Sequence, residues 1–240
     1  MMAVRINKYL SEIGYCSRRA ADQLIQEGRV TVNNCIPEIG TKIQPSDIVC
    51  VDGIQVKQNS KSKVLIAFHK PAGIVCTTDQ KREPNNVIDF INFPSRIFPI
   101  VRLDKPSTGL LLLTDDGDIV NKILRSRNNH EKEYVVTVDK AITRNFLNKM
   151  GQGVPILDTV TKPCKLSVID DRTFQIILTQ GLNRQIRRMC EYFGYNVLEL
   201  KRIRIMDIQL DIPEGKWREL TIEETKSLEN LIESSIKTID

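Results

Sequence analysis

The sequence predicts an α+β protein in two parts, a small N-terminal unit of two helices plus short strands, followed by a larger mixed, antiparallel-rich domain. Three observations predict it. Helical apolar spacing at Ile6, Leu10 and Ile13, and again at Leu24 and Ile25, precedes the strand-like RVTVNN. A polar Lys/Ser stretch, VKQNSKSK at 56–63, then interrupts every apolar pattern. Beyond it, strand-like runs at 64–68, 133–138, 174–179 and 203–210 are separated by helical patterns, with no repeat at a fixed period. A chain of 240 residues that is 41% hydrophobic can bury a sizeable core and still carry a small extra domain. The expected division is 1–58, a linker at 59–63, and a domain at 64–240.

Each element has a local reason. Gly14 suits the stop of the first helix, Ser17 can cap the second, and Gly28 ends it. Arg5, Lys8, Arg18, Arg19 and Arg29 fall at the ends of these elements, where they can meet phosphates, although solvated basic residues are common on any small domain. The four leucines at 110–113 read as a strand buried on both faces. The acidic DDGD at 115–118 lacks the alternating acids and the later glutamate of a calcium loop; it reads as a turn at Gly117, with Asp118 capping a helix from Ile119. In GLNRQIRRMCEYFG, Ile186, Met189, Cys190 and Phe193 share one helical face, while Arg184, Arg187, Arg188 and Glu191 share another. Arg188 reads as solvated. The final segment, 221–240, has helical spacing at Leu228, Ile232 and Ile236 and no visible chemistry.

Several function classes are disfavoured. Neither a dinucleotide fingerprint nor a P-loop occurs. No apolar run approaches the roughly 20 residues of a membrane span, and the first residues are too polar for a secretory signal, which places the protein inside the cell, in the cytoplasm. The six cysteines are scattered, without a C-x-x-C pair, and read as free thiols. His69 and His130 show no ligand spacing, so no metal is expected, and His130 is expected near RNA or solvent. A net charge of +5 permits an anionic partner without requiring one.

The wording of the motifs is more specific than their charge. RINKYLSEIGYCSRRAADQLIQEGRVTVNN closely resembles the S4 RNA-binding domain, which implies contacts to structured RNA from Arg5, Asn7, Lys8, Ser17, Arg18, Arg19, Arg29 and Asn33. FHKPAGIVCT, RLDKPSTGLLLLTDDGD, HEKEYVVTV and QGLNRQIRRMCEYFGYNV are similar to successive motifs of the RsuA-type pseudouridine synthases, and with the S4 unit they span the chain to about Leu220. The resemblance implies isomerisation of uridine: the N1 glycosidic bond breaks, the base turns, and C5 joins the same sugar carbon, with no cofactor. Asp104 of the R-L-D motif is then the catalyst, either as nucleophile at C1′ or as base at C2′. The resemblance makes Arg187 its basic partner, keeping the carboxylate charged against desolvation. It gives Tyr134 a place against the uracil, with a hydroxyl that helps remove the C5 proton, and Ile205 the apolar contact opposite. Arg102, Arg184 and Gln185 are the remaining candidate substrate contacts.

The implied partner is ribosomal RNA, a structured stem-loop of 23S RNA near the peptidyl transferase centre, with a tRNA as a second candidate. A monomer needing no obligate protein partner and no membrane is expected. The target base must leave its stack, at a cost of roughly a few kcal/mol. Without the resemblance, an ion pair of Asp104 with Arg102 or Lys105, and an ordinary strand aromatic at Tyr134, would come first. Val101 stands where the family usually has glycine, and if that position needs φ > 0 the loop would be strained. An S4-type RNA-binding or ribosome-assembly factor without turnover therefore stays open as the alternative. A glycosidic hydrolase would want a second carboxylate, for which Asp115, Asp116 and Asp118 are the nominees.

Overall fold

The structure, a computed structural model, describes residues 3–57, 63–79, 82–124 and 130–233. It forms two compact units, Met1–Lys63 and Val64–Asp240. Most of the expected linker, 59–62, and Ile236 of the final segment lie outside the described residues.

In the first unit, helices Ile6–Glu12 and Arg18–Gln26 pack on short strands. The Ser17 hydroxyl accepts the Ala20 amide at 3.1 Å, so the second helix starts where its cap residue stands. Ile6, Leu10, Ala21 and Ile25 bury one helical face against Val30, Ile43, Val49 and Val51. Gly14 and Gly28, both at positive φ, turn the chain after each helix.

The second unit is built on a nine-stranded mixed sheet. Its strands run in the order Lys165–Val168, Thr173–Leu178, Lys132–Val138, Val197–Ile205, Thr108–Thr114, Leu65–Lys70 and Trp217–Glu219, with Ile208–Gln209 and Phe98–Pro99 as short additions. Every pairing is antiparallel except the central one, where Lys201 and Arg202 of Val197–Ile205 lie beside Thr108 and Gly109 in parallel. The leucine run occupies that centre. Leu111 and Leu113 enter a core with Phe68, Val136, Phe174 and the helices Arg144–Gly151 and Gln185–Tyr192. Leu110 and Leu112 face the other way, into a core with Ala67, Ile205, Ile208, Leu228 and Ile232. All four are fully buried, as a two-sided strand requires, and each contributes roughly 2 kcal/mol of burial as an upper estimate.

Two elements depart from the sequence reading. The expected strand at 203–210 is instead the end of Val197–Ile205, a tight turn at Met206 with φ 50°, and the return strand Ile208–Gln209. The strand's beginning was hidden because irregularities at Val197/Glu199 and Arg202/Arg204 break the two-residue alternation. The helix expected from Ile119 begins at Gly117, and Asp116, not Asp118, caps it: its carboxylate accepts the Asp118 amide at 2.9 Å. Leu228 and Ile232 do pack inward, from the helix Ile222–Glu233.

Candidate active site

Asp104 sits at the mouth of a cleft in the second unit, lined also by Arg102, Ser107, Lys132, Tyr134, Leu200 and the segment 178–186. The loop carrying it, between Ile100 and the strand Thr108–Thr114, is fixed through its main chain. The Leu103 amide donates to Cys76 Sγ at 3.4 Å, the Ser107 amide to the Asp104 carbonyl at 3.0 Å, and the Gly73 amide to the Lys105 carbonyl at 2.8 Å. Two buried cations complete the set. Lys70 donates to the carbonyls of Pro71 (2.8 Å), Lys105 (3.3 Å) and Ser107 (2.8 Å), which satisfies all three of its N–H groups. Arg202 donates to Leu110 (2.7 Å), Val101 (2.7 Å) and, more weakly, Arg102 (3.4 Å). A loop that would otherwise be free to move is thus a rigid mount for one carboxylate.

The electrostatics around Asp104 are one-sided. The guanidinium that approaches it is that of Arg184, at 4.0 Å, while Arg187 is spent on the Val197 carbonyl (3.0 Å) and the Ser107 hydroxyl (3.4 Å). Arg184 is the guanidinium in ion-pair range of Asp104, while Arg187 is close enough to be drawn by its charge. The Arg187 Nε is buried and has no hydrogen-bond partner among the described residues. Arg184 adopts φ 49° just before the helix Gln185–Tyr192, a left-handed conformation costing an arginine about 1 kcal/mol or more, which aims its side chain across the cleft. Burial pushes Lys70 below the ordinary lysine range, with Cys76 and Asp104 pulling it back. Lys132 is pushed down to about 8 by burial and by Arg202. Arg187 is lowered by burial and by Arg184, against the attraction of Asp104.

Tyr134 is nearly buried, with Arg202 Cζ 5.9 Å from its ring centroid, and it lies on the same strand face as Lys132. Ile205 does not meet the cleft. It is fully buried in the core on the opposite face of the sheet, and Leu200 of the same strand lines the cleft in its place. Gln185 touches the cleft, but its amide is occupied internally, accepting the Leu182 amide at 3.0 Å. Arg188, expected to be solvated, braces the loop by donating to Asn183 at 3.1 Å. Arg102 is exposed at the rim.

Other expectations resolve locally. Val101 is outside the positive-φ region and its side chain packs into the second core, so no glycine-type strain arises there. Asp115 accepts the Val64 amide at 3.0 Å and Asp116 caps a helix, which makes the acidic turn structural. His130 is buried rather than facing solvent, and burial lowers its pKa. His69 binds the Ile212 carbonyl at 2.9 Å through Nδ1. In the first unit, Arg5, Arg18 and Arg19 are exposed, whereas Arg29 is paired with Asp52 at 2.6 Å and Lys8 with Glu12 at 3.3 Å. Asn7 donates to Asp22, Asn33 to Asp47, and Ser17 caps its helix, so these three have structural partners.

Sequence reasoning passed over Lys70, Cys76, Ser107, Lys132, Leu200 and Arg202. Period-two alternation was the available signal for three of them. Lys132 shares a face with Tyr134, and Leu200 shares one with Arg202, directly across from Tyr134.

Comparison with known proteins gives a consistent picture. The family model for RNA pseudouridylate synthase matches residues 64–192, and that for the S4 domain matches residues 4–52. The dual-specificity RNA pseudouridine synthase RluF of Escherichia coli (strain K12) is 54% identical over 97% of this chain and 81% of its own length. Ribosomal large subunit pseudouridine synthase B of Bacillus subtilis (strain 168) is 35% identical, over 95% of this chain and 96% of its own. Among solved structures, a pseudouridylate synthase crystal structure superposes with a TM-score of 0.69 at 28% identity, covering 95% of this chain and 99% of that one.

Proposed function

The chain belongs to the RNA pseudouridylate synthase family and isomerises uridine in RNA; on that premise we propose that Asp104 starts the exchange of bonds at a flipped-out uridine in 23S ribosomal RNA. The observation that carries the reading is a half-exposed carboxylate on a pinned loop, facing Arg184 at 4.0 Å and sharing its cleft with Tyr134. A carboxylate so mounted can attack C1′, or take the C2′ proton, without a reorganisation cost at the moment of reaction. The base, freed from C1′, stays between the Tyr134 ring and the apolar wall at Leu200 while it turns to present C5. C5 then bonds to C1′, which releases the Asp104 carboxylate from its ester or returns the C2′ proton to the glycal, and the C5 proton passes to solvent with the help of the Tyr134 hydroxyl, restoring the conjugated uracil. The cations around the cleft, Arg184 and Lys132 foremost, favour the negative charge that the uracil carries once its glycosidic bond is broken.

The substrate is assigned to a stem-loop of 23S RNA, with a tRNA stem-loop as a second substrate, because the 54% identical relative is described as dual-specificity. The S4 unit contributes RNA contacts from Arg5, Arg18 and Arg19. The chain acts as a monomer in the cytoplasm, where it meets ribosomal RNA. Val101, which favoured a binding factor without turnover, is accommodated in the core, so that alternative loses its sequence support. Incubation with 23S and tRNA transcripts, followed by carbodiimide-dependent reverse-transcription stops, tests the assignment. One new stop in a 23S stem-loop is expected, and stops only in tRNA would overturn the ribosomal target.

A further inference from the structure

Among the described residues, Arg202 is the largest side chain wholly removed from solvent. Its described hydrogen-bond partners are all main-chain carbonyls. Burying a cation carries a desolvation cost that a neutral side chain in the same place would avoid. What a neutral side chain lacks is the fork. Nε donates to Leu110, Nη2 to Val101, and Nη1 leans toward Arg102, so one planar group spans two chain segments at once. Val101 and Arg102 lie just before Asp104, and Leu110 lies just after its loop. The guanidinium therefore closes the catalytic loop at both ends. Its carbon also lies 5.9 Å from the Tyr134 ring centroid, and Arg202, fully buried, is not among the residues that line the cleft.

We propose that Arg202 is a positioning residue of the isomerisation: a single buried guanidinium sets the Asp104 loop and the Tyr134 ring relative to one another, without touching uridine. This rests on the assignment of Asp104 and Tyr134 given above. A misplacement of about 1 Å at a reacting group can cost on the order of 100-fold in rate, which is the scale on which such a group acts. Lysine in its place keeps the charge but offers one nitrogen to carbonyls that lie on two segments.

The test compares wild type, Arg202→Lys, Arg202→Met and Asp104→Asn in single-turnover pseudouridine formation on a 23S fragment, with RNA affinity and thermal midpoint measured on each full chain. Arg202→Lys is expected to bind RNA within about threefold of wild type yet react about 10- to 100-fold more slowly. Arg202→Met is expected to fall further. A rate within twofold of wild type for Arg202→Lys overturns the proposal while leaving the synthase reading intact. No pseudouridine from wild type overturns the synthase reading, and the proposal with it. If Arg202→Lys does not fold, hydrogen exchange on wild type decides: amides at 103 and 107 are expected to exchange as slowly as the strand Thr108–Thr114. Exchange there at least 100-fold faster than in that strand shows an unpinned loop and overturns the proposal.

Discussion

Gly109→Ala is the sharpest test of how the central strands meet. Gly109 has φ 108°, and a Cβ built on it falls 2.5 Å from the Arg202 amide nitrogen and closer still to the Arg202 carbonyl oxygen. Both neighbours are backbone, held in the parallel pairing of Arg202 with Gly109, so neither can rotate aside. Two costs add: about 1–2 kcal/mol for forcing alanine to positive φ, and about 1–3 kcal/mol for overpacking a closed site. The variant is expected to lose about 2–5 kcal/mol, or about 4–20 °C in thermal midpoint for a unit of this size. The only tryptophan, Trp217, lies in the second unit, so its fluorescence during urea unfolding reports on that unit alone. Gly117→Ala is the control, since a Cβ there meets nothing within 4 Å and its φ is not positive; it should stay within about 1 kcal/mol of wild type or gain slightly. A Gly109→Ala chain within about 0.5 kcal/mol of wild type would refute the close-approach argument.

Three further outcomes are expected. Lys132 gives up its proton near pH 8 in the folded chain but near 10.4 when unfolded, so between those values the unfolded chain holds more protons and stability rises with pH. Lys132→Met removes that rise, and its stability relative to wild type should fall from pH 7.5 to pH 10 by up to about 1.4 kcal/mol per pH unit; parallel urea midpoints would contradict the burial of a charged ammonium. Cys76→Ala leaves the Leu103 amide without its sulfur acceptor and should cost about 1–3 kcal/mol, with Cys76→Ser losing less in the same melt. Asn86→Ala removes the cap that accepts the Ile88 and Asp89 amides, both at 3.0 Å, and should cost about 1–2 kcal/mol in thermal unfolding.

Where local chemistry decided the structure, the sequence was readable. The Ser17 cap, the glycine stops, the leucine strand and the apolar face of Gln185–Tyr192 all follow from one-dimensional patterns, and each has its expected place. What escaped was set by partners distant in sequence. Arg202 looked like one more basic residue in a basic stretch, because its carbonyl partners lie about 100 residues earlier. Leu200 and Ile205 lie an odd number of residues apart on one strand and so face opposite cores, and only Leu200 reaches the cleft; the alternation was legible, but which face carries the cleft depends on partners distant in sequence. Arg184 came to face Asp104 through a left-handed backbone, which arginine seldom adopts and spacing cannot signal. Asp104 was legible as a position, since R-L-D fixes it; its rigidity was not, since it depends on Lys70 and Arg202 reaching main-chain atoms.

The central claim is that Asp104 drives the isomerisation, and tritium release tests it most directly. Formation of pseudouridine expels the hydrogen at C5, so RNA labelled with tritium at C5 of uridine releases one C5 hydrogen to water for each target base converted. Wild type should release tritium to the equivalent of one uridine per 23S fragment, while Asp104→Asn, folded and RNA-bound to the same extent, should release none above background. Release by Asp104→Asn at a rate near wild type would contradict the account.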